Sequence, residues 1–177
     1  ERRGARGRDK NLDDLAGLLA SNVGATDLDA AFTGLFKLWG KSYAPGPGGP
    51  CKAAAQLDLR CLFHHGTLDE LRALDVPVIV ALRDAAGAEH QVVLSGLRVD
   101  MAFVGIGDQE FRVRTVDLER LWSGDYQLLW RPQTSEVKAF TPGTRGPDVR
   151  WLRASLARVQ GRPFASTASD LYDGELE

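Results

Sequence analysis

A histidine opens a run of apolar and β-branched residues at Glu89-His90-Gln91-Val92-Val93-Leu94, and two cysteines lie upstream at Cys51 and Cys61. Together these residue types can support acyl transfer. A thiolate at a helix N-terminus attacks a carbonyl, an imidazole within hydrogen-bond reach takes its proton, and a third group orients the ring. Cys51 follows Pro50 at the first turn of a helix read over Cys51 to Asp58, where the helix dipole lowers a thiol pKa. The cysteines also have a second reading. A helix rises about 1.5 Å per residue and a strand about 3.3 Å. A helix up to Asp58 and a strand back through Leu59 to Phe63 would therefore bring the sulfurs level. They are then a disulfide in an oxidising compartment or two buried thiols in a reducing one. A packed or bridged Cys51 outweighs a nucleophilic one. His90 reads equally as a strand-start histidine bonded to its surroundings and as a functional relic. The pair His64-His65 beside Gly66 has no thiolate or carboxylate set at ligand spacing, so an exposed turn is expected there and no metal.

The elements that must position these groups follow from periodicity. Leu12, Leu15, Leu18 and Leu19 make an apolar stripe for a helix over Asn11 to Ala20, with Asn11 as cap and Asp13 and Asp14 in its acidic first turn. A second helix runs from about Leu28 to Leu38, capped by Thr26 or Asp27 and closed at Gly40. Its apolar face marks it as the core helix. The stretch from Ala44 to Pro50 is a Pro-Gly loop, and Thr67 to Glu70 is a capping-box start. Strands are expected over Val76 to Leu82, Gln91 to Leu97, Met101 to Ile106 and Gln109 to Thr115, the last two joined by a turn at Gly107-Asp108. A helical turn over Val116 to Trp122 and a strand from Asp125 to Trp130 follow, with Trp39, Trp122 and Trp130 expected in the core. Helices first and an antiparallel meander afterwards give an α+β class, N-terminal helices packed on an antiparallel sheet. Thr141 to Pro147 is a second breaker cluster, Asp148 to Val159 an amphipathic helix, and Asp173 to Glu177 reads as the start of another.

The 177 residues suit one domain and part of a second, and 44% hydrophobic with 26% charged residues can fill a core. A net charge of -2 argues against a nucleic-acid or membrane-surface binder, which needs a sustained basic field. Mean hydropathy is -0.22, and no apolar run approaches the roughly 20 residues that span a bilayer. The arginine-rich residues 1–10 read as a linker. No glycine run is followed by Lys-Ser or Lys-Thr, so no phosphate-binding loop and no cofactor are expected.

The late half, Thr67-Leu68-Asp69-Glu70-Leu71 through Val76-Pro77-Val78-Ile79-Val80 to His90-Gln91-Val92-Val93-Leu94, resembles the bacteriocin-processing, double-glycine peptidase family, whose fold is papain-like. The resemblance implies a catalytic histidine at His90 and an aspartate on the following hairpin, near Asp108. The family's aspartate is normally followed by proline; here Gln109 follows. Its cysteine sits on a helix ending in an aromatic-glycine pair, matched by Trp39-Gly40. Counting back along that helix puts the nucleophile position at Asp27 or Leu28, next to Thr26, and none of these is a thiol. The order Leu28…Trp39-Gly40, Cys51…Cys61, Leu68…Pro77, Leu121-Trp122-Ser123-Gly124…Trp130 further resembles the periplasmic part of the general secretion pathway protein A family, ATPase-linked assembly factors of type II secretion. The tail Gly143…Gly146-Pro147-Asp148-Val149-Arg150-Trp151-Leu152 resembles the opening helix of a peptidoglycan-binding domain.

These resemblances imply a linker over 1–10, a peptidase-like domain over 11–135, a linker over 136–147 and the beginning of a peptidoglycan-binding domain over 148–177. They imply a periplasmic, non-catalytic module that binds a protein or peptide partner near His90 and the Pro-Gly loop. The partner class is a secretin or an inner-membrane assembly protein; the adjoining domain holds peptidoglycan, and neither nucleic acid nor membrane is contacted. The Cys51–Cys61 disulfide belongs with that location. The alternative is an active cysteine peptidase using Cys51, His90 and Asp108.

Overall fold

Alternation along the central strands sets the layering of the first unit. In β2 (Val78–Arg83) and β3 (Glu89–Leu97), residues Val78, Val80, Leu82, Val92 and Leu94 join one apolar cluster, while Ile79 and Val93 join another on the opposite face. Successive side chains of a strand point to opposite faces, so a sheet with this pattern must be covered on both sides. The computed structural model describes residues 12–132, 140–161, 164 and 169–176. It divides into two units, Glu1–Arg131 and Pro132–Glu177, each described by itself.

The first face is covered by α1 (Leu15–Ser21), through Leu15 and Leu19, and by α4 (Leu68–Leu74), through Leu68 and Leu71. The second is covered by α2 (Leu28–Leu38) and α3 (Gly49–Gln56), with Ala31, Phe32, Leu35, Phe36 and Ala54 buried. Between them lies a six-stranded antiparallel sheet in the order β1-β6-β2-β3-β4-β5. Strands β2, β3, β4 (Met101–Ile106) and β5 (Gln109–Arg114) form a meander. After α5 (Thr115–Leu121), β6 (Trp122–Trp130) returns between β2 and β1 (Arg60–His65). Gly34 lets α2 lie close on the sheet, because a Cβ there would come within 3.2 Å of Val93 Cγ2. The α+β class and the helix-on-sheet arrangement are those expected.

Local chemistry explains two of the helix starts. Asp27 caps α2, its side chain accepting from Ala30 N–H at 2.8 Å. Thr67 and Glu70 close a reciprocal capping box on α4. Four expectations are corrected. The first helix begins at Leu15, because Asp13 bonds the sheet edge at Arg112 and does not enter a helical turn; Asn11 lies outside the described residues. His64 and His65 are in strand β1, paired with Tyr126 and Asp125, and not in a turn. Trp130 is half-exposed, at the end of β6 opposite Arg60 of the edge strand β1. Residues 174–176 form a turn closed by Leu176 N–H to Asp173 C=O and not a helix start; Glu177 lies outside the described residues.

In the second unit α6 (Pro147–Gln160) buries Arg153 completely. Its guanidinium pairs with Asp173 and Glu175, donates to Leu171 C=O at 2.9 Å, and stands 5.6 Å from the Phe164 ring centre. Burial of that charge is tolerable only with such partners.

A disulfide joins Cys51 of α3 to Cys61 of β1, with Cα atoms 5.5 Å apart. Closing a loop of this length removes roughly 2–3 kcal/mol of unfolded-chain entropy. The double variant Cys51→Ser/Cys61→Ser should therefore lose about 2–3 kcal/mol in urea unfolding. It should keep its far-UV circular dichroism, because the helix and strand have their own packing.

Candidate functional site

The site is built at the head of β3, where the sheet leaves an edge open. Strand β4 pairs with β3 only from Val93 onward, so Glu89 to Gln91 have a partner strand on the β2 side alone. The chain crossing from α1 to α2 fills the gap. After a short 3-10 turn at Val23–Ala25, Thr26 passes alongside, and its carbonyl accepts from Gln91 N–H at 2.7 Å. This bond fixes the Thr26 side chain against the preceding residue of the strand: Thr26 Oγ1 stands 2.8 Å from His90 Nδ1. The other ring nitrogen, Nε2, is 3.3 Å from Asp84 Oδ2.

Asp84 sits in the β2–β3 turn and is itself held in place. Its Oδ1 accepts from Ala86 N–H at 2.9 Å and Ala88 N–H at 2.8 Å. The Ala88 amide, then the His90 ring, keep its carboxyl below the usual carboxylate range. An ionised carboxylate only accepts, so Nε2 carries a proton, and the ring's second nitrogen decides the rest. In the neutral ring Nδ1 accepts the Thr26 hydroxyl proton. In the imidazolium both nitrogens donate, and the hydroxyl turns to the Val23 carbonyl, 3.1 Å away. Both states satisfy every group.

Hydroxyl, imidazole and carboxylate in a row are the parts of a nucleophile, its base and the base's orienting group. The burial decides what they can do. Thr26 is 3% exposed and His90 2% exposed, so neither atom of the first pair meets solvent or an incoming carbonyl. A threonine hydroxyl is also far less acidic than a thiol. The row reads as a structural relay pinning the crossing segment to the sheet.

The expected residues fall as follows. The residue facing the imidazole is Thr26, one before Asp27 and two before Leu28; Asp27 is occupied as the cap of α2, and Leu28 is partly exposed. The acid behind the ring is Asp84 and not Asp108. Asp108 is on the β4–β5 turn, its side chain 92% exposed and paired with Lys37 at 3.2 Å. Cys51 is bonded to Cys61, so the structure does not assemble Cys51, His90 and Asp108 into one centre. Asp84 is visible in the sequence as the acid six residues before His90 across an Ala-Ala-Gly turn; His90 pairs with Leu82, so Asp84, two residues on, lies on the same face of the hairpin and diagonal to the ring. Among the described residues no three His, Cys, Asp or Glu side chains cluster to hold a metal. No described helix is long and apolar enough to cross a membrane.

A groove of about 160 Å³ runs between α2 and strands β3 to β5. Its floor is small and apolar, with Ala31, Gly34, Val93 and Gly105. Its rim is polar: Lys37 pairs with Asp108, and Ser95 Oγ donates to Glu110 Oε2 at 2.6 Å. Near the Pro-Gly loop Tyr43 stacks on Phe36 and donates to Asp29 at 2.6 Å; burial, with the Asp29 bond and charge, pushes the Tyr43 hydroxyl up to about 12.

Residues 18–132, more than half of the chain, match the family described as GspA, peptidase C39-like domain. A General secretion pathway protein A from Aeromonas hydrophila is 32% identical over 153 residues, 86% of this chain and 27% of that protein. A sequence from Escherichia coli (strain K12) is 25% identical over 131 residues, 73% of this chain and 26% of that one. The chain thus spans about a quarter of the length of the curated relatives it matches. A solved periplasmic domain of the EpsAB fusion protein of the Vibrio vulnificus type II secretion system superposes with a TM-score of 0.57 at 19% identity, covering 89% of this chain and 68% of that one. That likeness establishes the shared fold.

Two measurements separate the relay from its surroundings. Thr26→Val should destabilise the protein by about 1–3 kcal/mol, because it strands a buried ring nitrogen, whereas Asp108→Ala should change stability by less than about 0.5 kcal/mol. Asp84 has a depressed folded pKa, so its stabilisation is present above the unfolded carboxylate value and is lost as pH falls through the folded one. Wild-type stability should therefore decline on acidification, and the decline should be shallower in Asp84→Asn.

Proposed function

The chain belongs to the GspA, peptidase C39-like domain family, and from that premise we propose that it is a non-catalytic, periplasmic interaction module of a type II secretion assembly factor. The observation that carries this reading is the Thr26 hydroxyl at 2.8 Å from His90 Nδ1, with both cysteine sulfurs tied to one another. A base facing a buried alcohol has nothing to activate toward a peptide carbonyl. The disulfide suits an oxidising compartment, as does the periplasmic relative.

What survives the loss of the nucleophile is the shape. The groove along α2 keeps an apolar floor and a polar rim, which suits an extended segment of a secretion-system protein such as a secretin or an inner-membrane assembly partner. The unit after Arg131 carries the Gly143 to Leu156 pattern and serves to hold peptidoglycan, so that partner and cell wall are kept together while a secretin is assembled.

The reading is tested by incubating the 177-residue chain with Gly-Gly-containing leader peptides and following cleavage by mass spectrometry. No cleavage is expected with or without reductant; turnover that disappears in Cys51→Ala would overturn the reading. In parallel, the chain should co-sediment with purified peptidoglycan. Retention in the supernatant would remove the wall-binding part.

A further inference from the structure

From Pro147 to Arg158 the exposed residues of helix α6 fall on one side. Pro147, Arg150, Trp151, Ala154 and Arg158 are exposed, while Asp148, Val149 and Arg153 are buried. At about 3.6 residues per turn the exposed five lie within roughly a third of the helix circumference, and Val149, Leu152 and Leu156 lie opposite. Trp151 is 45% exposed. Tryptophan is among the side chains most buried on average, so an indole left open to solvent calls for a reason. Among the described residues its N–H meets no acceptor, and no guanidinium stands over its ring.

The other charges of the second unit are settled. Arg145 pairs with Asp170 at 3.1 Å, Arg153 with Asp173 and Glu175, and Asp148 is buried. Those are all the described carboxylates after Arg131. Arg150 and Arg158 have no carboxylate partner among the described residues. The exposed stripe thus carries an aromatic plate and two cations, with no acid to balance them.

Three kinds of anionic partner could meet it, and the geometry favours one. A helix that lies on a membrane turns its apolar face to the lipid. Here Val149, Leu152 and Leu156 face away from the stripe, and Val149 is fully buried. A stable protein interface buries about 800 Å² on each partner, whereas the stripe is about 16 Å long and one helix wide. Peptidoglycan suits both its size and its chemistry. Its pyranose rings offer flat C–H faces to an indole, and its peptide stems offer carboxylates to guanidinium forks. Its repeat also lets many weak contacts add up. We propose that Trp151, Arg150 and Arg158 are the wall contact of the second unit, the indole stacked on a sugar ring and the arginines on stem carboxylates. Arg158 lies two turns, about 10 Å, beyond Trp151, and Ala154 between them leaves room for the ligand. The assignment rests on the reading of this unit as the one that holds peptidoglycan.

The test measures co-sedimentation of the 177-residue chain with purified peptidoglycan as a function of wall concentration. The apparent affinity should fall at least tenfold in Trp151→Ala and at least fivefold in Arg150→Gln/Arg158→Gln, with Trp151→Phe recovering most of the loss. Chitin, a glycan without stem carboxylates, should bind at least fivefold more weakly than the wall. The substituted side chains are exposed, so an unchanged thermal midpoint shows that each variant is folded. Wild-type pelleting that neither Trp151→Ala nor the arginine variant reduces overturns the proposal and leaves the wall-holding reading standing. Equal binding to chitin and wall overturns the carboxylate contact. Binding to phosphatidylglycerol vesicles that Trp151→Ala abolishes, with wall binding unaffected, makes a membrane the occupant and overturns the proposal. A wild-type chain that does not pellet at all overturns both the proposal and the reading beneath it.

Discussion

The hydrogen bond from Gln91 N–H to the Thr26 carbonyl governs the chemistry of this domain. It closes the one stretch of β3 that β4 leaves unpaired, and in doing so it fixes which residue meets the histidine. An unsatisfied buried amide at that point would cost about 1–3 kcal/mol. The crossing segment is therefore held in register with the strand. Once Thr26 is in register, its hydroxyl completes the partners of Nδ1, and Asp84 completes those of Nε2. Helix α2 begins immediately afterwards at its Asp27 cap, so the placement of the core helix and the hydrogen bonding of the imidazole have the same origin.

The Thr26 hydroxyl, the His90 ring and the Asp84 carboxylate together fasten the crossing segment to the sheet. A thiol in the same place would need solvent access to do its work; an alcohol at 3% exposure needs none. The disulfide has an analogous role at the far edge of the sheet, where it ties β1 to α3.

Much of the fold was legible because its signals are local. The capping box at Thr67, the Asp27 cap, the Gly107-Asp108 turn and the alternation in β2 to β5 each depend on residues within a few positions of one another. The two cysteines were readable for the same reason, since helix and strand rises alone bring them level. What escaped depended on distant partners. Asp13 looks like a helix-start acid until Arg112, 99 residues away, offers a backbone amide. Thr26 lies 64 positions before His90, and counting back along the helix reached its first residues and not the segment docked beside the strand. Asp84 was overshadowed by Asp108 because the family pattern pointed to the later hairpin. Yet Asp84 is the carboxylate that two turn amides preorganise.

The central claim is that the imidazole has no sulfur within its reach. The most direct measurement is intact-protein mass after iodoacetamide treatment of the native 177-residue chain, first without and then with denaturant and reductant. The account predicts no adduct in the first sample, and two adducts, at Cys51 and Cys61, in the second. An adduct on Cys51 in the untreated native chain would contradict it.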